Sequence, residues 1–267
     1  LGFLAGATLI HLFPYIVDLP ASMWFPLFAV LFALTYSVNT INHNVIHLPI
    51  SSRPRVNRFF ECWISVLQGH SSHRIWVPHC LNHHIHFRDE KDWMRPDLAG
   101  AGPGLVQILR YIGRSLSLGP LQDRTPPPPP LSKSVQAAIA FEQKLILAVW
   151  IILALCDWKV FLVFTFASQF VAVCTLMGMN LLQHEHCDLG SEKNHSRNFT
   201  GRFANWFLFN GGFHSAHHLR PTAHWSEMPD IHRREIAPGL APELDQRSLF
   251  LFLMKNYLFA YSGGNSR

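Results

Sequence analysis

The sequence predicts an all-α integral membrane protein, with four transmembrane helices in two hairpins and a cytoplasmic helical cap. Three observations lead there. Charged residues make up 15% of the 267 residues and hydrophobic ones 49%, where ordinary soluble domains carry roughly 25% charged. Four segments are apolar over lengths near the ~20 residues a helix needs to cross a bilayer. The basic residues concentrate in the two long polar segments, residues 43–134 and 183–267.

The first span, residues 1–17, is apolar except for His11 and ends at Asp18, Leu19 and Pro20. It begins inside an apolar stretch with no Met and no basic leader, which reads as a trimmed N-terminus rather than a signal peptide. The second span, residues 21–42, gains polarity through Tyr36, Ser37, Asn39 and Thr40. The third, residues 138–156, carries Glu142, Gln143 and Lys144, which are expected to lie in the interface or snorkel toward it. The fourth covers residues 160–182. Residues 43–134 hold eleven Lys and Arg and residues 183–267 hold nine; only Lys144 and Lys159 lie elsewhere. The positive-inside rule therefore puts both polar segments on the cytoplasmic side. Residues 1–267 then form a single domain.

Between the spans, residues 57–69 place apolar groups at helical spacing and read as an interfacial amphipathic helix. Residues 100–104 and the run Pro126 to Pro130 read as loop and extended linker. Residues 249–261, interrupted by Lys255 and Asn256, read as a surface-lying helix. Trp63, Trp76, Trp93 and Trp206 are expected to be interfacial anchors. The net charge of +5 comes with no nucleic-acid motif, and the basic flank of membrane helices accounts for it. Five scattered cysteines with no C-x-x-C pair support neither a disulfide framework nor a thiolate zinc site.

Nine of the 17 histidines fall into four clusters. These are His43 and His47; His79, His83 and His84; His184, preceded four residues earlier by Asn180; and His214, His217 and His218. Spacings of three and four place side chains on one helix face. A lone histidine is most often structural. Nine in correlated clusters are not, because each would need a separate explanation. Neutral imidazole is a common ligand for iron, copper and zinc. Three or four ligands suffice for one zinc, so nine imidazoles and an amide fit two ions with open positions. All four clusters fall on the side assigned as cytoplasmic.

These clusters resemble the histidine boxes of the membrane-bound fatty acid desaturase and hydroxylase superfamily, whose members hold a non-haem di-iron centre. His43 and His47 match the first box, His79, His83 and His84 the second, Asn180 and His184 the additional pair, and His214, His217 and His218 the last. The run from Asn205 to Pro221 is similar to the surroundings of that last box, with His224 and Pro229 in the places of a following His and Pro. The first box departs from the family in lacking an acidic residue after His43. The resemblance implies two Fe ions bound by these ten residues, O2 as co-substrate, and an acyl or related lipid chain as substrate. Asn180 would take a weaker part, through water.

Desaturation is the default outcome of such chemistry. Hydroxylation, decarboxylation and carotenoid oxygenation use the same ligands. A membrane zinc hydrolase is the reading from a different class, and it needs fewer ligands and a carboxylate base. A haem electron carrier needs only one histidine per helix. No cytochrome domain or iron–sulfur pattern accompanies the boxes, so electrons are expected from a separate ferredoxin or cytochrome with its reductase. Glu185, Asp188, Asp89 and Asp92 are candidate hydrogen-bond partners of the ligands. His70, His73, His86, His186 and His195 lie outside the boxes. Arg53, Arg55, Arg58 and Arg74 suit a phosphate-bearing head group or anionic lipid.

Overall fold

A computed structural model describes residues 1–102, 104–117 and 125–258. The chain is predominantly helical, and three of its helices are long and apolar enough to cross a membrane: Ala21–Val45, Lys133–Cys156 and Trp158–His184. Each contains the corresponding predicted span and extends beyond it. The first apolar segment, Gly2–Tyr15, is a shorter helix, because Pro14 and a tight turn at Phe13–Tyr15 end it early.

The chain divides into two compact units, residues 1–77 with 130–176 and residues 78–129 with 177–267. The first contains α1 (Gly2–Leu12), α2 (Trp24–Val45), α3 (Pro54–Gln68) and most of the two later spans. Pro54 opens α3 at the position where a missing N–H costs nothing. Gly69 closes it in the left-handed region at φ 77°. A side chain at Gly69 would collide with Gln169. That amide donates to the Val66 and Leu67 carbonyls at 3.0 and 3.2 Å and accepts from Trp150 at 2.9 Å. Leu4, Ala7, Val38, Ile64 and Leu67 form one apolar core, and Leu31, Val160 and Phe164 another. Phe25, Leu147, Ile152 and Leu155 remain exposed, as lipid-facing residues do.

Glu142 departs from expectation. It does not snorkel; it is fully buried. It sits on α7 (Lys133–Cys156), which follows the helices α4 (Ser72–Pro78), α5 (His84–His86) and α6 (Gly104–Leu116) along the chain. Its carboxylate accepts from Arg58, from Ser71 Oγ at 2.5 Å, and from the His73 ring and backbone at 2.8 and 3.2 Å. The Arg58 guanidinium also donates to the Ala138 carbonyl at 3.1 Å. Arg58 is thus committed to an internal partner rather than to a head group.

The last span is formed by α8 (Trp158–Val160), a π-helical stretch and α9 (Ser168–His184). The second unit contains α5, α6, the end of α9, α10 (Arg202–Phe207), α11 (His214–Leu219), α12 (Met228–Ile231) and α13 (Leu249–Leu253). The two-residue strands β1 (Asn198–Phe199) and β2 (Asp245–Gln246) pair in parallel. Helix α6 begins at Gly104 inside the segment expected to be loop; of that segment, residue 103 lies outside the described residues, as do residues 259–261 of the expected surface helix. The rest of that helix is present through Leu258. Trp93 is buried rather than interfacial, its indole donating to the Pro126 carbonyl at 3.0 Å. Trp206 is exposed, as an anchor would be.

Removing one partner of a buried ion pair strands the other charge. Arg58→Ala should therefore lower stability by about 3–5 kcal/mol, with Glu142→Gln costing less because the amide still accepts hydrogen bonds. Denaturation of the purified protein in detergent measures both.

Candidate metal centre

Three of the histidine clusters meet within the second unit. Pro78 precedes a π-helical turn, His79–His83, followed directly by α5. Such turns bond residue i to i+5 and gather at functional sites. Here the turn alters which histidines share a face. The expected pair was His79 with His83, four apart. Instead the His84 Nε2 lies 3.1 Å from that of His79 and 3.0 Å from that of His217. His83 turns to a different group.

That group is His83, His184, His214 and His218, whose ligand nitrogens all lie within 4.8 Å of one another. His184 ends α9, and the other two sit one turn apart on α11. The Nε2 atoms of His214 and His184 are 2.9 Å apart, and those of His218 and His214 3.1 Å. The rings of His84 and His218 stack at 4.5 Å, so the two sets adjoin. In the first unit His43, near the end of α2, and His47, beyond it, have ring centroids 5.5 Å apart. Asn180 stands one turn before His184, and its amide nitrogen donates to the Met94 carbonyl at 3.0 Å and the Tyr111 hydroxyl at 2.7 Å.

The orientation of the rings decides what they offer. His83 Nδ1 lies 2.9 Å from the buried Asp92 carboxylate, and His184 Nδ1 lies 3.2 Å from the His195 carbonyl. Both partners only accept, so both Nδ1 atoms carry the proton and both Nε2 atoms present lone pairs. His83 Nε2 is buried with no hydrogen-bond partner. Burial and the neighbouring imidazoles hold His218 well below the usual histidine range, hence neutral. Clustered neutral lone pairs in a buried place suit a cation.

The surrounding chain holds these helices in position. Arg197, itself buried, donates to the Leu182 and Glu185 carbonyls at 2.5 and 3.1 Å, satisfying the C-terminus of α9 with a cation. Asn198 accepts from the Ser215 N–H at 2.9 Å and donates to its hydroxyl at 2.8 Å. Asn205 donates to the Phe199 carbonyl at 2.7 Å and accepts from Gly212 N–H at 3.0 Å. A side chain at Gly212 would strike the Phe199 carbonyl. This turn, with Phe209 and Asn210 at positive φ, sets the start of α11.

Among the residues outside the boxes, Asp92 is the ligand partner of the four candidates. Glu185 instead accepts from the Tyr257 hydroxyl. Asp89 bonds His86 at 3.3 Å, Asp188 accepts from Gly190 N–H at 3.1 Å, and His186 is 3.3 Å from Glu185. His224 caps an exposed turn. His70 lies in the first unit against Asn39 at 2.6 Å, and His73 belongs to the Glu142 network. Sequence reasoning missed Arg197, Asn198 and Ser215. Their only signal is a polar run at 195–198 between two boxes.

The chain is mostly helical, has three helices long and apolar enough to cross a membrane, and gathers histidines that could hold a metal ion. The fatty acid desaturase family profile matches residues 21–248, and the chain is a member of that family. It is therefore an oxidoreductase of a family of oxygen-dependent lipid enzymes. No individual curated protein matches it.

Two outcomes follow. Asp92→Ala should weaken metal binding roughly 10–100-fold by freeing the His83 ring, read by metal titration. The metal-free protein should lose stability below pH 6.5. His195 is held down to about 4 by burial, then by Arg88, so between those values the unfolded chain binds protons that the folded chain excludes. A lower denaturation midpoint at about pH 5 than at pH 7, after chelation, checks it.

Proposed function

We propose that this chain is an integral membrane, non-haem di-iron oxidoreductase that uses O2 to remove hydrogen from an acyl or related lipid chain, with desaturation as the default outcome. The observation that carries this reading is the meeting of seven imidazoles from three boxes as two adjoining sets, with the His83 and His184 lone pairs fixed by their Nδ1 bonds. One ion fits the quartet His83, His184, His214 and His218. A second is assigned to His79, His84 and His217; His43 and His47 are assigned as metal ligands on the strength of the family pattern alone. Asn180 is assigned a part through water, in keeping with its amide nitrogen being taken by Met94 and Tyr111.

A di-iron pair supplies O2 activation for cleavage of an unactivated C–H bond. This chain's residues do the rest. Asp92 and the His195 carbonyl orient two ligands. Phe87, with its ring 4.5 Å from that of His218, lines one side of the quartet with apolar surface. All the box ligands are imidazole, so no carboxylate offsets the charge of the ions. A membrane zinc hydrolase would use one set and leave the other without a purpose.

The reading extends to topology. Residues 1–267 are assigned as one domain; the first helix, Gly2–Tyr15, joins the three longer ones to make four spans, paired as two hairpins. The boxes face the cytoplasm with cap residues 43–134 and 183–267. The asymmetry of Lys and Arg supports this. Electrons come from a separate ferredoxin, or cytochrome with its reductase, docked on the basic face.

Replacement of His83, His184 or His217 by Ala should abolish product and lower bound iron while membrane insertion persists. Lipid profiling by mass spectrometry of a host expressing the chain, against one expressing a box variant, reveals substrate and reaction together. Retained turnover in these variants would remove the assignment. For topology, a cysteine at position 159 should react with an impermeant thiol reagent from the non-cytoplasmic side, and one at position 233 from the cytoplasmic side.

A further inference from the structure

His195 is a buried histidine that the boxes do not account for, with 1% of its surface exposed. Its Nδ1 lies 3.3 Å from the Ser191 carbonyl and 3.1 Å from the Glu192 carbonyl. Carbonyls only accept, so Nδ1 carries the proton and Nε2 the lone pair. That Nε2 is buried and has no hydrogen-bond partner. A buried polar atom left so requires an explanation, and an absent ligand is a common one.

The position of the ring narrows the explanation. Nδ1 and Nε2 lie on opposite sides of an imidazole, so Nε2 faces away from the turn at 191–192. The ring centroid is 5.0 Å from that of Phe87 and 5.4 Å from that of His218. The same residue's carbonyl holds His184 Nδ1. His195 therefore touches two members of the quartet, yet its nitrogens fall outside the grouping of four. It is adjacent to the ion's place without being one of the four donors.

We infer that His195 Nε2 accepts a hydrogen bond from a water or other small hydroxylic molecule lodged beside the His83–His184–His214–His218 quartet. His195 is then a positioning residue: its ring fixes that molecule beside the quartet while its carbonyl fixes the His184 ring. The inference rests on the metal-centre reading above.

Two substitutions separate the roles of the ring. His195→Asn places an amide where Nδ1 sits, keeping the bond to the 191–192 carbonyls but removing the acceptor at Nε2. His195→Gln reaches the Nε2 position with a carbonyl oxygen. The proteins are loaded with ⁵⁷Fe, and iron content, Mössbauer spectrum and turnover are compared. His195→Asn should keep wild-type iron content, shift the quadrupole splitting and lose about tenfold in turnover, in the range of lost outer hydrogen bonds at metal sites. His195→Gln should restore the wild-type spectrum and most of the turnover. A His195→Asn protein matching wild type in spectrum and turnover overturns the inference, as does one that sheds iron as His184→Ala does, or a His195→Gln no better than Asn. A wild-type protein that takes up no iron sinks the metal-centre reading and this inference with it.

Discussion

Lone pairs buried away from water must be answered, and the second unit is organised around that constraint. Neutral imidazoles are cheap to bury compared with charged groups, but converging nitrogens at about 3 Å leave acceptors facing acceptors unless a proton or a cation lies between them. In this chain the protons of His83 and His184 are drawn outward, to Asp92 and to the His195 carbonyl. Their inward nitrogens are then committed to something other than hydrogen-bonding one another.

Much of the neighbouring polar structure follows from that commitment. Arg197 bonds the end of α9, Asn198 bonds Ser215 under α11, and Asn205 bonds across Gly212. They fix where α9 ends and where the short helix α11 begins, and so where His184, His214, His217 and His218 point. A six-residue helix such as α11 has little stability by itself, so these side-chain bonds supply what its backbone lacks. The first unit uses buried polarity in the same mechanical sense. Glu142 joins Arg58, Ser71 and His73, and Gln169 ties to the end of α3. Polar residues on apolar helices there act as fasteners, because an unmet carboxylate or amide in an apolar setting is costly.

How far the sequence could be read depended on the range of the interaction concerned. Hydropathy runs and Lys/Arg asymmetry are local sums, so the three long spans were legible to within a few residues. The histidine boxes were legible as motifs. Their facing was not: a π-helical turn after Pro78 pairs His79 with His84 and turns His83 away, and a spacing of four in the sequence carries no sign of that extra residue. The burial of Trp93 and of Glu142 was equally hidden, since each depends on a partner far along the chain, Pro126 in one case and Arg58 in the other.

By itself the sequence determined that the chain is a helical membrane protein with nine of its histidines in four clusters. Only the tertiary structure decided which imidazoles share a site, which carboxylate orients them, and that His195 stands beside them with a lone pair unspent. The reason is physical: composition and periodicity are properties of neighbours in the chain, whereas the direction of a ring nitrogen is set by whatever its other nitrogen meets across the fold.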